Sequence, residues 1–461
     1  MYKINYENPI NVYFIGIGGV SMSGLARILL DRGFKVCGSD RSKSDTVKGL
    51  MDLGIKVFTP QSAENIKEAG QIDLVVYTAA IHPDNPEFAL AKEMGIPMLT
   101  RAELLGQIMT HYHLPVAVAG THGKTTTTAM VSKIMLEASL DPTISIGGNL
   151  KDIGGNVRIG SSKYFVTEAC EYTNSFLSFF PGVGIILNVD ADHLDFFKDL
   201  DDIRNSFHKF AALIPSDGTL VVNGEIPKLD ELTEGLTCNI TTYGFSDSCD
   251  YYPTDISYDD FGNASFHLNR KNGEGFDVTL KVPGRHNIGN ALASAAAADC
   301  FDIEDSHIAA GLNSFTGTDR RFEYKGTVDG LTIIDDYAHH PTEIAATLSA
   351  AKNYPHKTLW CVFQPHTFTR TKALMDEFAN ALLPADKIII ADIYAARETD
   401  NLGISSRTLK EKIESLGHEC YYFPSFEEIE KFLLQNCTKD DMLITMGAGN
   451  VVNIANDLLG M

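Results

Sequence analysis

The stretch Gly120-Thr-His-Gly-Lys-Thr-Thr126 brings together residue types that bind phosphate. Successive backbone N–H groups of a glycine turn, at the positive end of a helix, form a cradle for anionic oxygens. Lys124 supplies a cation for the outer phosphates, and the hydroxyl of Thr125 is placed to hold Mg²⁺. The spacing is shorter than the usual Walker pattern, since only Thr121 and His122 separate Gly120 from Gly123. A βα turn with a helix-capping threonine is the competing reading. Two more polar groups belong to the same chemistry. Glu168 ends one apolar run, and Asn188-Val-Asp190-Ala-Asp192-His193-Leu-Asp195 ends another. Glu168 and His193 can complete a Mg²⁺ shell with Thr125, the acid being the firmer ligand because Mg²⁺ prefers oxygen. A loop histidine without a metal is the alternative for His193. Asp190, Asp192 and Asp195 equally suit turns or a solvated acidic face.

Such residues need strands and helices to position them. Residues 115–119 are an apolar strand, and Met130, Val131, Ile134, Met135 and Ala138 recur at helical spacing, so the glycine stretch is a strand–turn–helix. Residues 163–167 and 183–187 are the strands that deliver Glu168 and the 188–195 run; in a parallel sheet their ends lie at the crevice where ligands bind. Gly147-Gly-Asn149 and Gly154-Gly-Asn156 are expected to be flexible loops. Residues 218–282 are expected to form a β-rich insertion of short strands and turns. Asn287 and Asn290, one turn apart before an alanine-rich helix, suit either a purine edge or helix capping. Arg320 and Arg321 follow a hinge and suit phosphate clamping or a paired surface face.

The N-terminal third repeats the theme. Residues 11–15 lead into Gly16-Ile-Gly-Gly19, a helix follows, and a second strand ends at Gly38-Ser39-Asp40. This is the opening βαβ of a Rossmann-like domain. The residues alone leave NAD and any other diphosphate-ribose ligand open, with Asp40 either on the ribose or a turn former. Residues 74–77 end in Thr78, then His82. Thr100 caps a closing helix. From about residue 323 a third strand–helix pattern appears, with polar clusters Asp335-Asp-Tyr337-Ala-His339-His340 and Gln364-Pro-His366-Thr367-Phe-Thr-Arg370 after successive strands.

At 461 residues the chain exceeds one ordinary domain, and its 44% hydrophobic and 21% charged content fits globular domains with ample core. A formal charge of −22 argues against nucleic acid as a partner. No apolar run reaches membrane-spanning length and no signal segment opens the chain, so a cytoplasmic location without a membrane partner is expected. The eight cysteines contain no CxxC pair and read as reduced thiols. The fold class expected is α/β in three domains: Rossmann-like 1–108, a central P-loop-type ATPase 109–316 with a mostly parallel sheet and a small β insertion, and Rossmann-like 317–461.

In combination these residues resemble the Mur ligase family, over nearly the whole chain. The carriers are Gly16-Ile-Gly-Gly-Val-Ser-Met-Ser-Gly-Leu-Ala26, Gly120-Thr-His-Gly-Lys-Thr125, Thr167-Glu-Ala169 with Ser175-Phe176, His286-Asn287 with Asn290, and Asp335-Asp-Tyr-Ala-His-His-Pro-Thr-Glu343. The last resembles the alanine-adding type. The resemblance implies that Gly16, Gly18, Gly19, Ser39, Asp40, Thr78, His82, Asn174 and Ser175 hold UDP-N-acetylmuramate and not NAD. It implies ATP on residues 120–126 with Asn287, Asn290, Arg321, Asp336 and Tyr337, and Mg²⁺ on Thr125, Glu168 and His193. Lys124, Glu168, His193, His339 and Arg370 would be catalytic, the last two at an L-alanine site. The implied reaction has the muramyl carboxylate attack the ATP γ-phosphoryl group; alanine's amine then displaces phosphate from the acyl phosphate. A monomer or weak homodimer is expected. The chain departs from relatives at Thr367, where many carry a second arginine, and at Cys170, Tyr172 and Thr173, where Asp and Ser are common. No lysine stands in the 188–195 run for carbamylation. Rival readings are a ligase for glycine, serine or a peptide, a non-catalytic nucleotide switch, and a NAD-dependent oxidoreductase, which leaves residues 120–126 unexplained.

Overall fold

The computed structural model describes residues 2–78, 80–194, 196–396 and 398–461, so Asp195 lies outside the described residues. Three sheets follow one another along the chain, each with its own buried apolar residues. The first has five parallel strands in the spatial order Lys56–Phe58, Lys35–Ser39, Asn11–Ile15, Leu74–Tyr77, Met98–Thr100. The order reverses on either side of Asn11–Ile15, and the glycine turn sits at that reversal, where such sheets bind ligands.

The second sheet has ten strands, and Val116–Ala119 lies inside it between Val183–Ile186 and Phe165–Glu168, parallel to both. That pairing sets the site, because it brings the ends of all three strands to the phosphate loop. The helix Lys124–Glu137 starts from Gly123, whose φ of +85° is a left-handed conformation that favours glycine. It is buried on nearly every side. The helices Arg285–Asp299 and Asp305–Ser314 both pack on it, and a Cβ on Gly311 of the latter would lie 2.6 Å from Ile134 Cα, so glycine lets that helix approach closely.

One expectation changes here. The glycines at 147–149 and 154–156 are not flexible loops: Thr143–Leu150 and Gly155–Arg158 are strands of an antiparallel pair. At 147 and 148 added Cβ atoms would lie 2.8 Å from Glu168 Oε2 and 2.9 Å from Thr125 Cγ2, so a side chain there would displace these two residues. The region 218–282 does form short strands, and they belong to the central sheet. Thr219–Asn223 and Asn239–Tyr243 continue the central sheet in parallel, and the hairpin strands Tyr251–Tyr258, Asn263–Arg270 and Phe276–Pro283 extend its edge. Short turn-rich strands carry no periodicity that distinguishes sheet extension from insertion.

The third sheet has six strands, ordered Glu323–Val328, Leu331–Asp336, Met442–Met446, Leu359–Phe363, Lys387–Ile390, Cys420–Tyr422, antiparallel only at the first pair. The first and second parts meet through small residues: a side chain on Gly24 would overlap Val157, and one on Gly106 would overlap the Ser178 carbonyl. Among the described residues no helix is long and apolar enough to cross a membrane.

Candidate active site

A cavity of about 660 Å³ lies over the phosphate loop, lined by Lys124, Thr125, Glu168 and His193 from the central sheet and by Arg321, Tyr337 and His339 from the third. The loop is braced from outside: His122 N–H donates to Asn188 Oδ1 at 2.8 Å, and Asn188 Nδ2 returns a bond to the His122 carbonyl at 3.0 Å. Lys124 Nζ folds back onto the Gly120 and Thr121 carbonyls and pairs with Glu171 at 3.0 Å. Burial works to lower the Lys124 pKa, but Glu171 outweighs it and the group is held firmly cationic. Glu171 was not among the expected site residues; its only signal is a second carboxyl three residues after Glu168.

Thr125 and Glu168 meet across Gly147-Gly148. The Gly147 N–H donates to Glu168 Oε1 at 2.6 Å, which aims the carboxylate along the cavity wall. His193, at φ +53°, turns its ring onto Tyr172 (4.5 Å between centroids), with Nε2 3.9 Å from Glu171 and 3.8 Å from Asp192. Burial pulls its pKa below the usual value, leaving a neutral imidazole able to act as a ligand. Two oxygens and one nitrogen on one phosphate cavity suit a hard cation that retains water, so these residues fit Mg²⁺. The trio of metal-ligating type drawn tightly together among the described residues is another one, His122, Asp190 and His340. His122 there is already engaged, Nδ1 with Glu343 at 3.2 Å and Nε2 with Asp190 at 3.5 Å.

Next to this lies a cleft of about 240 Å³ between the two domains, lined by Gly123, Thr126, Asn287, Asn290, Arg321 and Asp336. Asn287 does not cap its helix; Gly284 holds that position. Its Nδ2 donates to the Pro283 carbonyl at 2.7 Å, while its Oδ1 accepts from Asn290 at 3.0 Å. Asp336 accepts from the Phe322 and Ala338 N–H groups, and burial pushes its pKa up to about 6. Tyr337, expected beside the adenosine, faces the phosphate cavity instead. The Arg320 and Arg321 guanidiniums lie over its ring at 4.9 and 5.3 Å.

A third cavity of about 250 Å³ is lined by Asp192, His193, His366, Thr367, Arg370 and Glu398. Arg370 Nε and Nη2 both donate to Asp192 Oδ1 at 3.0 Å, an enclosed pair that joins the central loop to the third domain. Burial alone would raise the Asp192 pKa; Arg370, His193 and His339 hold it well below the usual range. His339 stands on the phosphate-cavity side, 6.0 Å from the His366 ring. Thr367, at the position of an expected arginine, adopts φ +69° and caps the helix Phe368–Ala373. The Phe368 and Thr369 N–H groups donate to Glu398. His366, Asp192 and Glu398 were not expected here, because their neighbours come from distant parts of the chain.

In the first domain Gly16 has φ +82°, and Asp40 Oδ2 accepts from the Gly18 N–H at 2.8 Å, so Asp40 shapes the turn. Thr78 lies against Gly16, Gly19 N–H closes the turn onto the Gly16 carbonyl, and His82 is exposed. Ser39 is a correction. It is fully buried and its hydroxyl donates to the buried Glu87, which takes it away from any ligand. Asn174 and Ser175 sit on a short 3₁₀ segment; Asn174 accepts from Ser206, and Ser175 Oγ donates to the Tyr172 carbonyl at 2.9 Å.

The sequence matches three family profiles: Mur ligase family, catalytic domain, over 11–113; Mur ligase middle domain over 118–298; and Mur ligase, glutamate ligase domain, over 320–449. It is 59% identical over 461 residues to the UDP-N-acetylmuramate--L-alanine ligase of Lachnospira eligens, covering 100% of both chains. It is 58% identical over 459 residues to the enzyme of the same name from Agathobacter rectalis, again covering 100% of both. The crystal structure of UDP-N-acetylmuramate-alanine ligase MurC from Thermotoga maritima superposes with a TM-score of 0.82 at 29% identity, covering 98% of each chain. A murein peptide ligase from Psychrobacter arcticus follows at TM-score 0.72 and 25% identity, covering 98% of each. With three successive sheet-containing parts matching three family profiles and likeness running the full length, the chain belongs to the Mur ligase family.

Proposed function

We propose that this protein is an ATP-dependent ligase joining L-alanine to the carboxylate of UDP-N-acetylmuramate, through an acyl phosphate, for peptidoglycan precursor synthesis in the cytoplasm. One observation carries it: Asp192 and His193 line both the phosphate cavity and the small cavity holding Arg370, so the two share a wall. An acid activated in the first is presented directly to a nucleophile seated in the second. Whole-length likeness to two proteins of that name supports the same reading.

In this reading residues 1–108 bind the UDP sugar, 109–316 bind ATP, and 317–461 close over the nucleotide and bring the amino acid. Lys124 offsets charge that develops on the transferred phosphoryl group, and Arg321 adds to it from the facing domain. Asn287, Asn290, Thr126 and Asp336 shape the adenosine cleft. Thr125, Glu168 and His193 would hold Mg²⁺, which supplies further charge neutralisation at the phosphate oxygens. Arg370 takes the alanine carboxylate as its planar fork favours, with His339 and His366 beside it. Both substrates are small molecules, with no nucleic acid or membrane partner and the chain a monomer or weak homodimer.

The test is an amino-acid panel with ATP, Mg²⁺ and UDP-N-acetylmuramate, following phosphate. Release should require both the sugar nucleotide and an amino acid, with alanine fastest. A single methyl separates alanine from glycine by about 1–3 kcal/mol, so glycine should react slowly and not be inert. Phosphate release that ignores either substrate would make the protein a nucleotide switch.

A further inference from the structure

The arginines around the phosphate cavity are paired: Arg320 with Asp335, Arg321 with Glu343 and Arg370 with Asp192. Arg101 is the exception. Its guanidinium carries five donors, yet among the described residues its hydrogen-bond partner is the Ser21 hydroxyl alone, at 3.1 Å, and no carboxylate lies within 4.0 Å. It is also placed against its own helix. Arg101 is the first residue of Arg101–Met109, inside the Thr100–Glu103 capping box, where the helix end is positive and a cation is unfavourable. Burial pulls its pKa below the usual guanidinium value, while Cys170 and Glu168 lie near enough to act the other way. Neither folding nor helix propensity accounts for a half-enclosed, unpaired cation at this point.

Its position does. Ser21 stands in the first turn of Val20–Asp31, directly after the glycine turn of the first domain. Glu168 and Cys170 stand at the strand end that opens on the phosphate cavity. Arg101 touches the first point and lies within electrostatic range of the second, so it stands beside a sugar nucleotide with its diphosphate on the glycine turn and its acid at that cavity.

We propose that Arg101 receives anionic oxygens of the sugar-nucleotide substrate, its diphosphate or its carboxylate, where the first and central domains meet. This rests on the assignment of UDP-N-acetylmuramate to the first domain. The test is calorimetric binding of UDP-N-acetylmuramate and of UDP-N-acetylglucosamine, which lacks the lactyl carboxylate, to wild type, Arg101→Ala and Arg101→Lys, with thermal melting of each. Arg101→Ala should weaken the muramate about tenfold or more, and Arg101→Lys less, since it keeps the charge without the fork. Loss on both ligands assigns the diphosphate; loss on the muramate alone assigns the carboxylate. Tm should stay level or rise in Arg101→Ala, because an unpaired cation leaves a helix N-terminus. Unchanged affinity for both ligands overturns the proposal, and a fall in Tm with unchanged affinity marks Arg101 as packing only. Wild type that binds neither ligand would sink the substrate assignment instead.

Discussion

Replacing Arg370 by alanine tests the shared wall most directly. A charge-assisted hydrogen bond contributes about 1.5–3 kcal/mol, which would raise the KM for alanine roughly 10- to 150-fold. The effect should fall in the lower half of that range, because Arg370 already has Asp192 as a partner at 3.0 Å before alanine arrives. The substitution has a second consequence. Asp192 is 7% exposed, and removing its countercharge strands a carboxylate in the interface. Inside a rigid core that would cost about 3–5 kcal/mol. Here the two partners sit on different domains, so the molecule relieves the cost by opening, and the KM for ATP rises as well. Arg370→Ala combined with Asp192→Ala removes the stranded charge while leaving no seat for the alanine carboxylate. Initial rates against alanine and ATP, with thermal melting, separate the two effects. The double variant should recover the ATP KM and Tm but keep the high alanine KM. Equal changes in both KM values in the single and double variants would refute the assignment of Arg370 to the amino-acid site.

Lys124→Ala should lower product formation by roughly 10²–10³-fold while UDP-N-acetylmuramate affinity by calorimetry holds; ligation near the normal rate would remove the lysine from the phosphate site. Gly147→Ala should shift Glu168, since the added Cβ would lie 2.8 Å from its Oε2. Phosphate release then needs severalfold more Mg²⁺ for half-saturation, and an unchanged Mg²⁺ curve would disconnect Glu168 from the metal. His122 bridges the phosphate loop to Glu343 of the third domain; burial works to lower its pKa, but Asp190 and Glu343 raise it to about 9. A raised histidine pKa means the contribution is complete below the unfolded value near 6.5 and is lost as pH climbs through about 9. Tm should therefore fall between those limits more steeply in wild type than in His122→Asn, and parallel profiles would show that this contact does not stabilise the closed arrangement.

Local chemistry was legible in the sequence wherever a residue's role depends on its chain neighbours. The loop at 120–126 announces itself by glycine, lysine and threonine in fixed order, and strands flanking it by apolar runs of the right length. The Thr100 cap is likewise a matter of four consecutive residues, and its capping box with Glu103 is present. Ser39 misled because its position after a strand is shared by ligand-facing and core-facing residues, and only the side of the sheet decides; Glu87, forty-eight positions away, took its hydroxyl. Gly147 and Gly148 read as flexible although they lie in a strand, since what a side chain there would meet is Glu168 and Thr125, brought close only by the fold. Glu171, Asp192 and His366 stand in polar runs after strands, but nothing local names their partners, and Glu398 carries no local signature. Their surroundings are assembled by strand order and by the docking of the third domain on the second, across separations such as the 178 residues between Asp192 and Arg370. Electrostatic partnership falls off with distance in space, and one-dimensional spacing does not encode that distance beyond a helix turn or a strand pair.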